Sequence, residues 1–319
     1  MDQQRLLRIL AVLTSIGAYC MLLMGAIVSA TESGRGCGGS WPFCHGQLIP
    51  QSMPVATVIE YSHRIISGID GFLILILTVW TWLRFKKDRR VRILGFMSLF
   101  FVVLQGALGA LTVVFEKTFA KNFALALHFG FSLISFASVI LLTIYLFQIK
   151  KGTAGAQDKQ VSKKMQTAIW ALSAYTYVIV YTGALVRHTK ATMACGYSFP
   201  FCGGLYLPNL NSLAGIHMLH RFGAFSLWVL VLLFMIAVLR HYRGRPDLMR
   251  GSILAMILIT LQAISGVVII MTGGKLVAEM VHTTIISIFF CALAYLCMQV
   301  GTPWGKKRAA FVPKDVVTN

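Results

Sequence analysis

Charge is scarce in this sequence, and negative charge is scarcest. Only ten of its 319 residues are Asp or Glu, and charged side chains of both signs make up 12% of the chain. Hydrophobic residues make up 57%, and mean hydropathy is +0.75. A soluble domain of this composition would leave much of that apolar surface facing water, so the soluble globular class is excluded. What the sequence has instead is a series of apolar stretches near the length that crosses about 30 Å of hydrocarbon. Eight helices are expected, over residues 9–30, 57–83, 93–115, 123–149, 166–187, 214–239, 251–272 and 276–300. The fold class is an all-α membrane protein with eight transmembrane helices.

A net charge of +19 would invite a nucleic-acid partner if it covered one surface, but it is distributed by topology. Of the 29 Lys and Arg, 21 fall in the termini and alternate connections, including Arg84, Lys86, Lys87, Arg89, Arg90 and Arg92 in the second. The opposite side carries six, Arg35, Lys117, Lys121, Arg187, Lys190 and Lys275. The positive-inside rule then places both termini in the cytoplasm, which requires an even number of spans. Membrane lipid, not nucleic acid, is the expected surrounding. The basic start and Val28-Ser29-Ala30 look loosely like a cleavable leader. The apolar run exceeds a leader's core, however, and its sequence reappears in the fifth helix, so the first span is expected to be retained.

That reappearance belongs to an internal repeat. Offset by 158 residues, Tyr19 meets Tyr177, Gly25-Ala26 meets Gly183-Ala184, and Pro42-Phe43-Cys44 meets Pro200-Phe201-Cys202. With one residue removed, His63-Arg64 meets His220-Arg221 and Leu104-Gln105 meets Leu261-Gln262; with three more removed, His128 meets His282. Two tandem four-helix bundles are expected, residues 1–150 and 166–301, joined by a cytoplasmic linker over 151–165 and followed by a cytoplasmic tail over 302–319. An even number of spans per unit gives both the same orientation, so their pseudo-twofold axis should run along the membrane normal.

Four of the eight histidines occupy corresponding places. His63 and His220 lie on the second helix of each half, His128 and His282 on the fourth, all near the outer ends. Second and fourth helices of a unit both run inward, so two imidazoles at equal depth can face each other. That suits coordination of one flat macrocycle from both faces, a bis-histidine haem in a four-helix bundle. Hydrogen-bonding histidines between helices are the plainer alternative. Zinc or copper would also accept imidazole, though two histidines per bundle make an incomplete closed site. Arg64 and Arg221 follow two of the proposed ligands, and propionates near the outer surface are natural partners for a costly intramembrane charge. Snorkelling to the interface is the alternative for both.

The halves differ at one telling place. Glu60 stands one turn before His63, where the second half has His217 before His220. A carboxylate on the same helical face as an iron ligand can approach the macrocycle edge and move a proton. It could equally pair with Arg64 or His63. Asp70, deeper in that helix, has no acidic counterpart and reads either as a proton-path residue or as a buried polar contact. Of seven cysteines, Cys20, Cys291 and Cys297 sit in apolar helices as packing residues. Cys37 with Cys44, and Cys195 with Cys202, bracket the outer loops at the same spacing, and on an oxidising face each pair should close a disulfide. A zinc site there would lack ligands, and redox exchange with a partner is the alternative role for the Cys37 pair.

Together Glu60-x-x-His63-Arg64, His128, His220-Arg221, His282 and the paired loop cysteines resemble the haem A synthase family, over nearly the whole chain and in its Bacillus-type branch. The resemblance implies haem O as substrate between His63 and His128, with haem b as cofactor between His220 and His282. It implies oxidation of a ring methyl of haem O to a formyl group, two hydroxylations followed by loss of water. Glu60 is then the catalytic candidate, and haem O synthase and an acceptor such as a quinone are expected partners. Two rivals are a di-haem electron-transfer cytochrome without substrate chemistry and a two-fold transporter.

Overall fold

The computed structural model describes residues 3–114, 119–154, 161–204 and 208–304, with side chains omitted at 113–114 and 119–121. Lys117, Lys159 and most of the expected tail lie outside the described residues. Eight helices follow one another: α1 (Gln3–Ala30), α2 (Val55–Arg84), α3 (Arg89–Val114), α4 (Phe119–Lys150), α5 (Lys163–His188), α6 (Leu213–His241), α7 (Pro246–Met271) and α8 (Leu276–Val300). Each contains a stretch long and apolar enough to cross a membrane. Among the described residues no strand forms, and an isolated bridge joins Cys44 to Gln47.

Seven of the eight helices start earlier than hydropathy alone indicates. Hydropathy marks the stretch that sits in hydrocarbon, whereas the helical backbone continues into basic turns at the headgroup level, where long side chains snorkel. α1 therefore takes in Arg5 and Arg8, and α5 absorbs Lys163 and Lys164 from the expected linker. α7 begins at Pro246, whose fixed φ suits the first helical position. Several starts are capped by side chains, because the first N–H groups of a helix have no intrahelical acceptor. Ser162 accepts from the Met165 N–H and Ser212 from the Gly215 N–H. Asp88 accepts from Arg90 and Val91 at the start of α3, and its second oxygen takes the Tyr145 hydroxyl of α4 at 2.9 Å.

Within the first four helices, α1 packs on α2 and α4, and α3 packs on α2 and α4. The second four repeat the pattern, α5 on α6 and α8 and α7 on α6 and α8. The two sets meet through α4 against α5 and α8 and through α1 against α8, which makes α4 the most buried of the eight spans. Apolar residues on the outward faces, such as Leu13, Ile16, Ile69, Phe225 and Leu233, are exposed. In lipid that exposure costs little, so helices associate through close packing and interhelical hydrogen bonds. Ser15 to Thr143 (2.9 Å) joins α1 to α4, and Tyr19 to Thr284 (2.9 Å) joins α1 to α8.

Candidate functional site

The four aligned histidines converge on one cavity of about 2390 Å³ at the end of the molecule that carries the disulfide loops. It far exceeds the roughly 300–1,000 Å³ of ordinary small-molecule pockets. Its walls come from all eight helices, so one continuous space serves both halves. His63 and His128 lie close enough to interact electrostatically, as do His220 and His282.

Each imidazole faces a glycine on the neighbouring helix. A Cβ added to Gly25 would come 3.3 Å from the His63 ring, one on Gly109 3.7 Å from His128, one on Gly183 2.8 Å from His220, and one on Gly266 3.4 Å from His282. Gly25 and Gly183 are repeat equivalents, and so are Gly109 and Gly266. The repeat therefore duplicates both the histidines and the bare backbone beside them. Hydroxyl groups orient three of the rings through Nδ1: Ser67 on His63 (3.5 Å), Thr182 on His220 (3.0 Å) and Ser265 on His282 (2.8 Å). Holding Nδ1 fixes the ring plane and favours Nε2 as a metal donor. On His282 the Gln262 amide sits 2.9 Å from Nε2, so this side chain must withdraw when His282 coordinates.

The outer loops are closed by disulfides Cys37–Cys44 and Cys195–Cys202. Both arginines grip these loops. Arg64 donates through Nη1 to the carbonyls of Ser40 (2.8 Å) and Phe43 (2.7 Å), and Arg221 donates through Nη1 to those of Ser198 (2.9 Å) and Pro200 (3.0 Å). Their remaining nitrogens differ. Arg64 Nη2 pairs with Glu60 at 2.6 Å, whereas Nε and Nη2 of Arg221 are buried with no partner among the described residues. A guanidinium with two buried, unpartnered nitrogens on a cavity wall fits a carboxylate-bearing ligand.

Glu60 is 6% exposed and both its oxygens are engaged, Oε1 by Arg64 and Oε2 by the Cys37 N–H at 2.8 Å. It lines the cavity beside His63. His217 occupies the equivalent place in the second half, also buried, and its Nδ1 has no partner among the described residues. Asp70 points away from the cavity toward Gly17 of α1, buried, with both oxygens unpartnered among the described residues. Three wall residues were not placed at the site by the sequence reading. Arg187 pairs with Glu279 at 3.1 Å, and His188, an electrostatic neighbour of His128, bonds Ser29 at 3.3 Å. Glu279 had a signal: Glu279-x-x-His282 repeats the spacing of Glu60-x-x-His63.

These features define an eight-helix membrane protein with duplicated histidine pairs on one cavity, and the residues fit a bis-histidine tetrapyrrole in each half. A profile of the cytochrome oxidase assembly protein family matches residues 8–294. The chain belongs to that family. A protein of Halalkalibacterium halodurans named "Heme A synthase" is 42% identical over 294 residues, 92% of this chain and 97% of its own length. Proteins of the same name from Alkalihalophilus pseudofirmus and Bacillus cereus are 40% and 41% identical, covering 93% and 92% of this chain and 98% and 93% of their own lengths.

Proposed function

We propose that the chain is a haem A synthase that oxidises a ring methyl of haem O to a formyl group. The observation that carries this reading is the duplicated pair of neighbouring imidazoles, each against a glycine, along one shared cavity. In this reading residues 1–150 and 166–301 are two four-helix units related by a pseudo-twofold axis along the membrane normal, with both termini cytoplasmic. Haem O binds between His63 and His128 as substrate, and haem b between His220 and His282 as cofactor, with a propionate on Arg221.

The net change is methyl plus water to formyl, with loss of four electrons and four protons. His63 and His128 would both hold the substrate iron, so water, not iron-bound dioxygen, is the oxygen donor in this scheme. Two rounds of two-electron oxidation and water addition give a geminal diol, and loss of one water leaves the aldehyde. Glu60 is the cavity carboxylate nearest His63 in the helix and takes protons released beside the methyl carbon. Arg64 and the Cys37 N–H hold it on the wall. Haem b supplies one-electron transfer when bound, and the electrons leave to an acceptor such as a quinone. Haem O synthase, which makes the substrate, is the expected partner upstream.

Extraction of pigments from the purified protein before and after turnover tests this directly. One haem b is expected to persist while haem O is converted to haem A. Two unchanging haems of one type would establish the di-haem electron-transfer cytochrome instead.

A further inference from the structure

The repeat breaks along one seam of the cavity. In the first half, Gly68 and Gly71 of α2 and Gly106 of α3 line the cavity wall, and a Cβ added to any of them would meet nothing within 4 Å. Phe72 and Val103, on the same wall, are 62% and 64% exposed on the outer face of the molecule. The α2–α3 seam thus runs from the His63–His128 pocket to the lipid-facing surface through bare backbone. In the second half the repeat equivalents of Gly68, Gly71 and Gly106 are Phe225, Trp228 and Ala263. The equivalent of Val103 is Thr260, and the Trp228 indole N–H donates to its hydroxyl at 3.1 Å, bridging α6 to α7. Phe225 and Ile264 also line the cavity and are exposed, so both seams reach the outer face; side chains and the Trp228 bridge fill the second, and bare backbone lines the first.

A second observation at the first seam points to a ligand. Gln105 precedes Gly106, lines the cavity and is 5% exposed, yet its Oε1 has no donor among the described residues. Its twin Gln262 likewise leaves Oε1 without a donor among the described residues, but holds its amide nitrogen 2.9 Å from His282 Nε2, where that of Gln105 turns to Met21 Sδ. A buried carbonyl without a donor has given up its hydrogen bonds to water unreplaced, and a hydroxyl-bearing ligand would restore one.

We propose that the α2–α3 seam is the lateral slot that takes the long isoprenoid chain of the substrate haem, with Gln105 Oε1 accepting from the hydroxyl at the base of that chain. This rests on the haem O reading above and extends it to the part of the substrate that haem b lacks. The seam also explains how one duplicated scaffold sorts two similar macrocycles. The half lined by bare backbone accepts a tailed haem sideways from lipid, and the bridged half holds a tail-less one.

The test transplants the bridge. Gly71→Trp with Val103→Thr, made in the full chain with haem b loaded at His220 and His282, is titrated separately with haem O and with haem b at the first site. The expected result is a more than tenfold loss of haem O affinity, with haem b affinity at that site within about twofold of wild type. Equal losses for the two haems, or no loss for either, would overturn the proposal. Should the double variant fail to retain its resident haem b, the reverse variant decides. Trp228→Gly clears the second seam and should let the second site take up haem O in cells that make it, whereas a second site holding haem b alone would count against the slot. A wild-type chain that binds haem O through this seam but never converts it would sink the enzymatic reading and leave the slot standing.

Discussion

Glu60 Oε2 accepts the backbone N–H of Cys37 at 2.8 Å. The carboxylate one turn from His63 is therefore held by the first residue of a disulfide, and its other oxygen by Arg64. A side chain restrained from two directions keeps its place at the cavity wall without spending rotamer freedom on each turnover. In the twin loop His217 stands in place of the carboxylate and bonds the backbone of Ala191.

Glu60→Gln is expected to keep haem b and lose turnover by about 100-fold or more, the usual scale for removing a positioned proton acceptor. The amide still accepts from Cys37 but leaves Arg64 without a counter-charge, so the melting temperature should fall as well. Activity is therefore scored as haem A formed per molecule of bound haem b. Normal turnover on that basis would remove Glu60 from the reaction.

The two disulfides should separate in their effects. Each closes a loop of similar length, worth roughly 2–3 kcal/mol by chain entropy, so replacing either pair with Ser should lower thermal stability comparably. Only the Cys37 and Cys44 pair supports Glu60. That double variant should lose several-fold more turnover than Cys195→Ser with Cys202→Ser at a temperature where both remain folded. Equal turnover in the two would show that the loop does not position the carboxylate.

Histidine replacements should divide by half. His220→Ala or His282→Ala is expected to abolish retention of haem b. His63→Ala or His128→Ala should leave haem b in place and abolish haem O conversion. Pigment extraction with spectra of the oxidised and reduced protein reads both outcomes, and loss of haem b from a His63 variant would contradict the assignment.

The glycines facing the imidazoles give a graded series. Alanine should disturb haem binding most at Gly183, where the added Cβ meets the His220 ring at 2.8 Å, and least at Gly109, where the distance is 3.7 Å. Gly39→Ala, with nothing within 4 Å, serves as the neutral reference for stability. The readout is the shift of the haem absorption band and the midpoint of thermal release. A series in the reverse order would mean that the rings do not rest on these backbones.

Much of this protein was legible from one dimension. Hydropathy marked eight spans because bilayer thickness sets a length that composition reveals directly. The repeat paired His63 with His220 and His128 with His282 because duplication preserves order and spacing, and the seven-residue spacing of the loop cysteines foretold both disulfides. Seven helix starts were placed late, since side chains beyond the hydrocarbon continue a helix without adding hydropathy. What only the tertiary structure decided was which way side chains turn across helices. Cys37 reaches Glu60 from a loop, the Gln262 amide covers His282 while that of Gln105 turns to Met21, and Arg187 meets Glu279 across α5 and α8. Such partners lie tens of residues apart, and helix rotation and packing bring them together. No local pattern encodes that rotation, because in lipid it is set by close contact between neighbouring helices and not by any segment's own apolar face.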